Sequence, residues 1–268
     1  MRDPHVVELR YRLVLSGDDE FRDPPPVERE RDAFSMRLAD DLLTVTMKEH
    51  HPTIESARAR VEPFVQSWEI SAALQYRRRQ VSFEYKDADV IDRDPPLPGE
   101  PQVFEESEPL ILSVIVSGSD RMTHRAYPSP PDAFKASSDV QLMWTRFDQY
   151  LEGREPLPSM AFFCLTVVEA SLGLCTKGRQ NRPAAATAYY IDKDILSTLG
   201  TLTSEHGDAT SARKAHDLKP LTARAKHWIQ EAVLVLIRRL GEHAAEPDTP
   251  KPMITMADLP SLKNGDVS

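Results

Sequence analysis

Residues 127–131 read YPSPP, and the hydrophobic pattern changes period across them. Upstream, apolar and polar residues alternate, as in half-buried strands. Downstream, apolar residues recur every three or four positions, as in amphipathic helices. The stretch therefore predicts a linker. It separates an α+β unit over 1–126 from an all-α unit of four helices over 132–244, followed by a disordered, Pro-rich tail over 245–268.

Working back from the linker, Leu110–Ser117 (LILSVIVS) is continuously apolar and reads as a strand buried on both faces. Val81, Phe83 and Tyr85 alternate with Ser82, Glu84 and Lys86 in another strand. Before it, Ile54, Ala57, Val61, Phe64, Val65, Trp68 and Ala72 form one helical stripe. Pro63 is expected to kink or interrupt that helix, and Arg77-Arg78-Arg79 to close it at the negative end of its dipole. Leu43, Val45 and Met47 mark a strand, as do Val7, Leu9, Tyr11, Leu13 and Leu15. Residues 22–32 (RDPPPVERERD) read as an exposed loop. The unit is thus expected to hold about four strands and one main helix.

Working forward, Phe134 to Leu151 predicts a first helix ending near Gly153. Ser159 is a candidate cap for a second, whose nearly all-apolar Met160–Leu174 suits the middle of a bundle. Asp192 opens a third helix and Thr222 a fourth, over 223–243.

The 268 residues carry 33 Lys or Arg against 42 Asp or Glu, a net charge of −9. That balance argues against coating nucleic acid over the whole surface. No apolar run reaches the roughly 18 residues of a membrane span. The start, MRDPHVVELRYR, lacks the apolar core of a secretory signal. A cytoplasmic protein without membrane contact is expected. Cys164 and Cys175 would lie roughly 16 Å apart along one helix, too far to pair, so both are expected as reduced thiols.

Several chemistries find no seat. There is no GxGxxG, GxSxG, CxxC or HExxH. Gly173 to Gln180 puts Arg179-Gln180 where a phosphate loop needs Lys and Ser or Thr. His50 and His51 are adjacent and would point to different sides, a poor start for a metal site. No cofactor and no small-molecule substrate are expected. Glu84-x-Lys86 on a strand, completed by Asp41, is the pattern of a magnesium-dependent nuclease, in which Glu holds the ion and Lys steadies the phosphate. Any amphipathic strand also produces it.

Charge is unevenly placed. Between Thr176 and Leu240 stand eleven cationic residues against six acidic ones. Arg179, Arg182, Arg213, Lys214, Lys219, Arg224 and Lys226 are candidate binding residues, for a phosphate backbone, an acidic protein surface or the chain's own acidic N-terminal unit. His216 and His227, with Arg224, are candidate catalytic residues, since an imidazole beside phosphate serves as a general acid.

The stretch ILSTLGTLTSEHGDATSARKAHDLKPLTARAKHWIQEAVLVLIRRLGEHA resembles the HEPN superfamily in its helices and its basic, His-containing loop before the last long helix. It covers about 50 residues. The resemblance implies a four-helix bundle, a place in a bacterial toxin, defence or RNA-processing system, dimerisation and, in many members, metal-independent ribonuclease activity. The family's catalytic pattern is Arg followed after four to six residues by His. Here Arg213 and His216, and Arg224 and His227, are separated by only two residues. Arg238 and His243 have the spacing but sit at the helix end. The expected function is a non-catalytic binding or scaffolding subunit of a prokaryotic assembly, self-associating or contacting protein or RNA through a basic helical face. A HEPN-like ribonuclease or RNA-binding toxin is the alternative.

Overall fold

The computed structural model describes residues 3–16, 20–77, 81–94, 123–173, 181–205 and 220–262. The strand expected at Leu110–Ser117 lies outside them. The chain divides between Pro131 and Asp132 into two compact units.

In the first unit, β1 (Pro4–Leu15), β2 (Glu20–Phe21), β3 (Val27–Glu30), β4 (Phe34–Ala39), β5 (Leu42–Met47), α1 (Ile54–Tyr76), β6 (Val81–Asp92) and β7 (Thr123–His124) follow in order. Five strands form one antiparallel sheet, in the order β3-β4-β5-β1-β6, and β2 pairs with β7 in parallel. Asp40 and Asp41, both at positive φ, close the tight β4–β5 hairpin. Alternation sends Leu9, Tyr11, Leu38, Leu43 and Val45 to the inner face, against Val61, Val65 and Trp68 of α1. The outer face is polar in register: Glu28, Arg37, Thr44, Arg10 and Asp87 form one cross-strand row.

Three expectations for this unit need correction. The sheet has five strands, not four, because β3 forms inside the supposed loop 22–32 and Phe34, Met36 and Leu38 alternate in β4. Pro63 does not interrupt α1. Its ring and Ala59, whose carbonyl loses its partner, are both exposed, so the free acceptor is open to solvent. Residues 127–131 are no exposed linker. Tyr127, Pro128, Pro130 and Pro131 are buried. The Tyr127 hydroxyl donates to Asp41 Oδ1 at 3.1 Å, Trp68 Nε1 to the Pro128 carbonyl at 3.1 Å, and Arg31 Nη2 to the Pro131 carbonyl at 2.8 Å. Prolines lack an N–H but keep a carbonyl, so the proline part of this strap is held through its acceptors, Pro128 by Trp68 of α1 and Pro131 by Arg31.

The second unit holds α2 (Ser138–Leu151), α3 (Leu157–Ala170), α4 (Arg182–Tyr189), α5 (Lys193–Glu205) and α6 (Ala223–Ala245). Among the described residues there are therefore five helices, not four. The extra one, α4, is a short alanine-rich turn sequence opened by Pro183. Ser159 lies inside α3, whose cap position is Pro156. Thr222 does cap α6, accepting from the Ala225 N–H at 3.1 Å. As expected of a middle helix, α3 packs against α2, α4, α5 and α6; α6 also meets each of the others and adds the long buried row Trp228, Ile229, Val233, Leu234, Leu236 and Ile237.

The tail is not disordered through residue 262. Ile254 bridges Ile191 in parallel, accepting from the Asp192 N–H at 2.8 Å and donating to the Tyr190 carbonyl at 2.9 Å. Arg239 Nη2 donates to the Pro252 carbonyl, Thr255 and Asp258 form a capping box around one 3₁₀ turn, and Leu259 is buried. A segment without periodicity is thus held by the groups it satisfies.

Gly241 lets Phe134 lie directly on α6, and the Lys135 N–H donates to the Gly241 carbonyl at 3.0 Å. A β-carbon at Gly241 would overlap the Phe134 ring. In a free helix Gly→Ala gains about 1 kcal/mol, but forcing a methyl into a packed contact costs about 1–3 kcal/mol. Gly241→Ala is therefore expected to lower the stability measured by urea unfolding, against the propensity rule. A rise in the urea midpoint would contradict this packing.

Candidate functional site

The described part of the basic segment comes to a focus at the start of α6. Arg224, Lys226 and His227 are all exposed there, while Ala225 and Trp228 between and beside them are buried. The alternation follows from the helical period, which turns 224, 226 and 227 outward once 225 and 228 face the core. The first turn contains no acidic residue. Two fixed cations therefore stand beside the positive end of the helix dipole, an arrangement that costs stability instead of adding to it. The His227 imidazole is 52% exposed, and its Nδ1 lies 4.0 Å from Glu231 Oε1 one turn on. Chemically this is an anion-attracting surface, with an ionisable ring at its edge.

Arg182 does not belong to that surface. Its guanidinium pairs with Glu169 at 2.5 Å, and the two side chains are 15% and 12% exposed. Gly200 of α5 makes room for it, since a β-carbon there would press on the guanidinium. Arg182 joins α3, α4 and α5. Arg179, Arg213, Lys214, Lys219 and His216 lie outside the described residues, as does Cys175. Cys164 is free and buried, and burial raises its thiol pKa far above the ordinary value, so it is no nucleophile.

The nuclease pattern is not assembled. Glu84 and Lys86 are exposed. Lys86 falls at a bulge, because Arg10 pairs with Asp87 and Tyr11 with Tyr85. The Asp41 carboxylate accepts from Tyr127. Among the described residues no group of three His, Cys, Asp or Glu side chains is placed to hold a metal.

Two clusters escaped the sequence. On the outer sheet face an open groove of about 780 Å³ is lined by Glu8, Glu28, Glu30, Arg37, Thr44 and Thr46, among others. Beside it, Arg10 bonds Asp87 at 2.7 Å and also reaches Asp89 and Glu8, so one guanidinium serves three carboxylates. The alternation of β1, β4 and β5 points to such a face, but not to its depth. At the end of the sheet, His5 of β1 meets His50, ring centroids 5.3 Å apart. No local motif announces it, because 45 residues separate the two rings in sequence.

No helix among the described residues is long and apolar enough to cross a membrane. Comparison with protein-family models, curated proteins and solved structures finds no match.

Proposed function

We propose that this protein is a non-catalytic binding or scaffolding subunit that engages an acidic protein surface through the exposed start of α6. The observation that carries the reading is the trio Arg224, Lys226 and His227 on a first turn without any acid. Cations at the positive end of a helix do not stabilise it. Their stability cost is understandable if a partner's carboxylates offset it. An overall charge of −9 favours a protein partner over a long nucleic acid, whose phosphates the rest of the surface would repel.

The test is the double variant Arg224→Glu/Lys226→Glu. Partner capture from the native host, and its salt dependence, should be lost. Folding stability should rise by about 0.3–1 kcal/mol per reversed charge, because acids suit the helix start. Unchanged capture together with raised stability would leave the trio with no binding role. A fall in stability would show that the cations are structural.

Ribonuclease action is the second reading, favoured by the half-exposed His227 three residues after Arg224. At that spacing both lie on one helix face. RNA cleavage in EDTA that disappears in His227→Ala would establish it and displace the scaffolding reading.

A further inference from the structure

We propose that His5, with His50 and His51, forms an acid-sensitive latch between the start of β1 and the β5–α1 connection, closed at neutral pH and opened by protonation. The proposal concerns the first unit and does not depend on the binding role given to α6.

The latch is a reciprocal pair of bonds. The Val6 N–H donates to the His51 carbonyl at 2.9 Å, and the His51 N–H donates back to His5 Nδ1 at 3.4 Å. The second bond requires a neutral His5, whose Nδ1 lone pair is free while Nε2 carries the hydrogen. In an imidazolium both ring nitrogens are donors. One proton therefore turns an acceptor into a second donor facing the His51 N–H, and this arm of the latch is lost whatever the surrounding charge.

The surroundings add to the effect. The His5 ring packs on His50 with centroids 5.3 Å apart, and His51 and Arg93, just after β6, lie on the same side. His51 Nε2 is buried without a hydrogen-bond partner. The opposing charge is Asp3, which is already shared: its carboxylate stands 3.4 Å from His50 Nε2 and 3.8 Å from Arg93 Nε. Asp92 is occupied by the Asp3 and Asp94 N–H groups, at 3.0 and 3.1 Å. Glu49 reaches Arg60 at 3.4 Å. A proton on His5 thus enters a neighbourhood of two other imidazoles and a guanidinium, with one divided carboxylate in return.

Burial first, and then His50, Arg93 and His51, hold the His5 pKa below its ordinary 6.5. The sign follows. The unfolded chain takes up this proton at higher pH than the folded one, so the stabilisation is full above about pH 6.5 and is lost as pH falls through the folded value. Opening is expected to be local, since β1 keeps its pairs with β5 and β6 beyond residue 8.

The experiment is hydrogen exchange on the full chain between pH 7.5 and 5, with rates corrected for intrinsic exchange. Protection at the Val6 and His51 amides should fall across that range, while Leu9 and Val45 stay protected. His5→Gln keeps an acceptor for the His51 N–H but does not titrate, and should flatten the response. A companion proton NMR titration should place His5 below its ordinary value, and His50→Gln should move it back up. Protection that is unchanged with pH, an equal loss in His5→Gln, or a His5 that titrates at or above 6.5 would each overturn the latch. The titration is read on the wild type, so it decides even if a variant folds poorly.

Discussion

Trp68→Ala is expected to cost the first unit about 3–5 kcal/mol, much of the roughly 5–15 kcal/mol that a domain has. Trp68 has no exposed area and packs between Phe64 and Phe83, at centroid distances of 6.2 and 4.9 Å. Its indole is also the donor that holds the buried Pro128 carbonyl. The substitution opens a cavity and orphans an acceptor, and the latter alone costs about 1–3 kcal/mol. Trp68→Phe isolates the two effects by refilling most of the cavity without restoring the donor. Urea unfolding should be followed by circular dichroism, because the other two tryptophans, Trp144 and Trp228, lie in the second unit and report only on it. Arg125 is exposed already, so loss of the strap should speed tryptic cleavage after it by freeing the chain that follows. A cost below 1 kcal/mol for Trp68→Ala would mean that 127–131 is not held in the way described.

Glu169→Ala is expected to cost the second unit about 1–3 kcal/mol, because it strands the largely buried Arg182 guanidinium among packed helices. The attraction within a buried ion pair is largely spent on desolvating both ions, so the pair itself contributes little. Removing one partner exposes the unpaid half. The double variant Glu169→Leu/Arg182→Met should therefore recover most of the loss. Failure of the double variant to recover would assign the cost to the shape of the site and not to charge. Neither change should affect the surface at Arg224 and Lys226, which makes the pair a control for binding experiments.

The strands and helices that were legible in the sequence are those whose own residues carry the period. β1, β5 and the stripe of α1 can be read directly, as can the Thr222 cap of α6. Phe34, Met36 and Leu38 carried the same period and were readable too, but the preceding prolines and charges masked where the loop stopped. β3, with the sequence VERE, has almost no apolar signal: it exists because β4 offers it an edge. The remaining errors are tertiary. Pro63 survives because its defect faces water. YPSPP has the composition of a linker, but Trp68 and Arg31 supply donors from elsewhere in the chain. Arg182 looks like a free cation until Glu169 and Gly200 are brought to it from two other helices. The candidate site was legible to the extent that Arg224 and Lys226 lie on the exposed side of a periodic helix. The approach of His5 to His50 was not, since pairing of strands, and not spacing in sequence, creates it.

The late place of α6 in the chain, against its packing on every other helix of the unit, has a consequence for synthesis. A ribosome delivers residues 1–131 first, and α1 reaches the inner sheet face as soon as β6 has paired with β1. The second unit has no such early closure. Its α3 can pack on α2 and α5 as they emerge, but the apolar faces that these helices turn to α6 stay uncovered until residue 245 has left the tunnel. Domains generally fold in the order in which they are made, and exposed apolar surface in the interval invites aggregation. The two units therefore differ in their need for chaperones during translation, with the burden falling on the helical one.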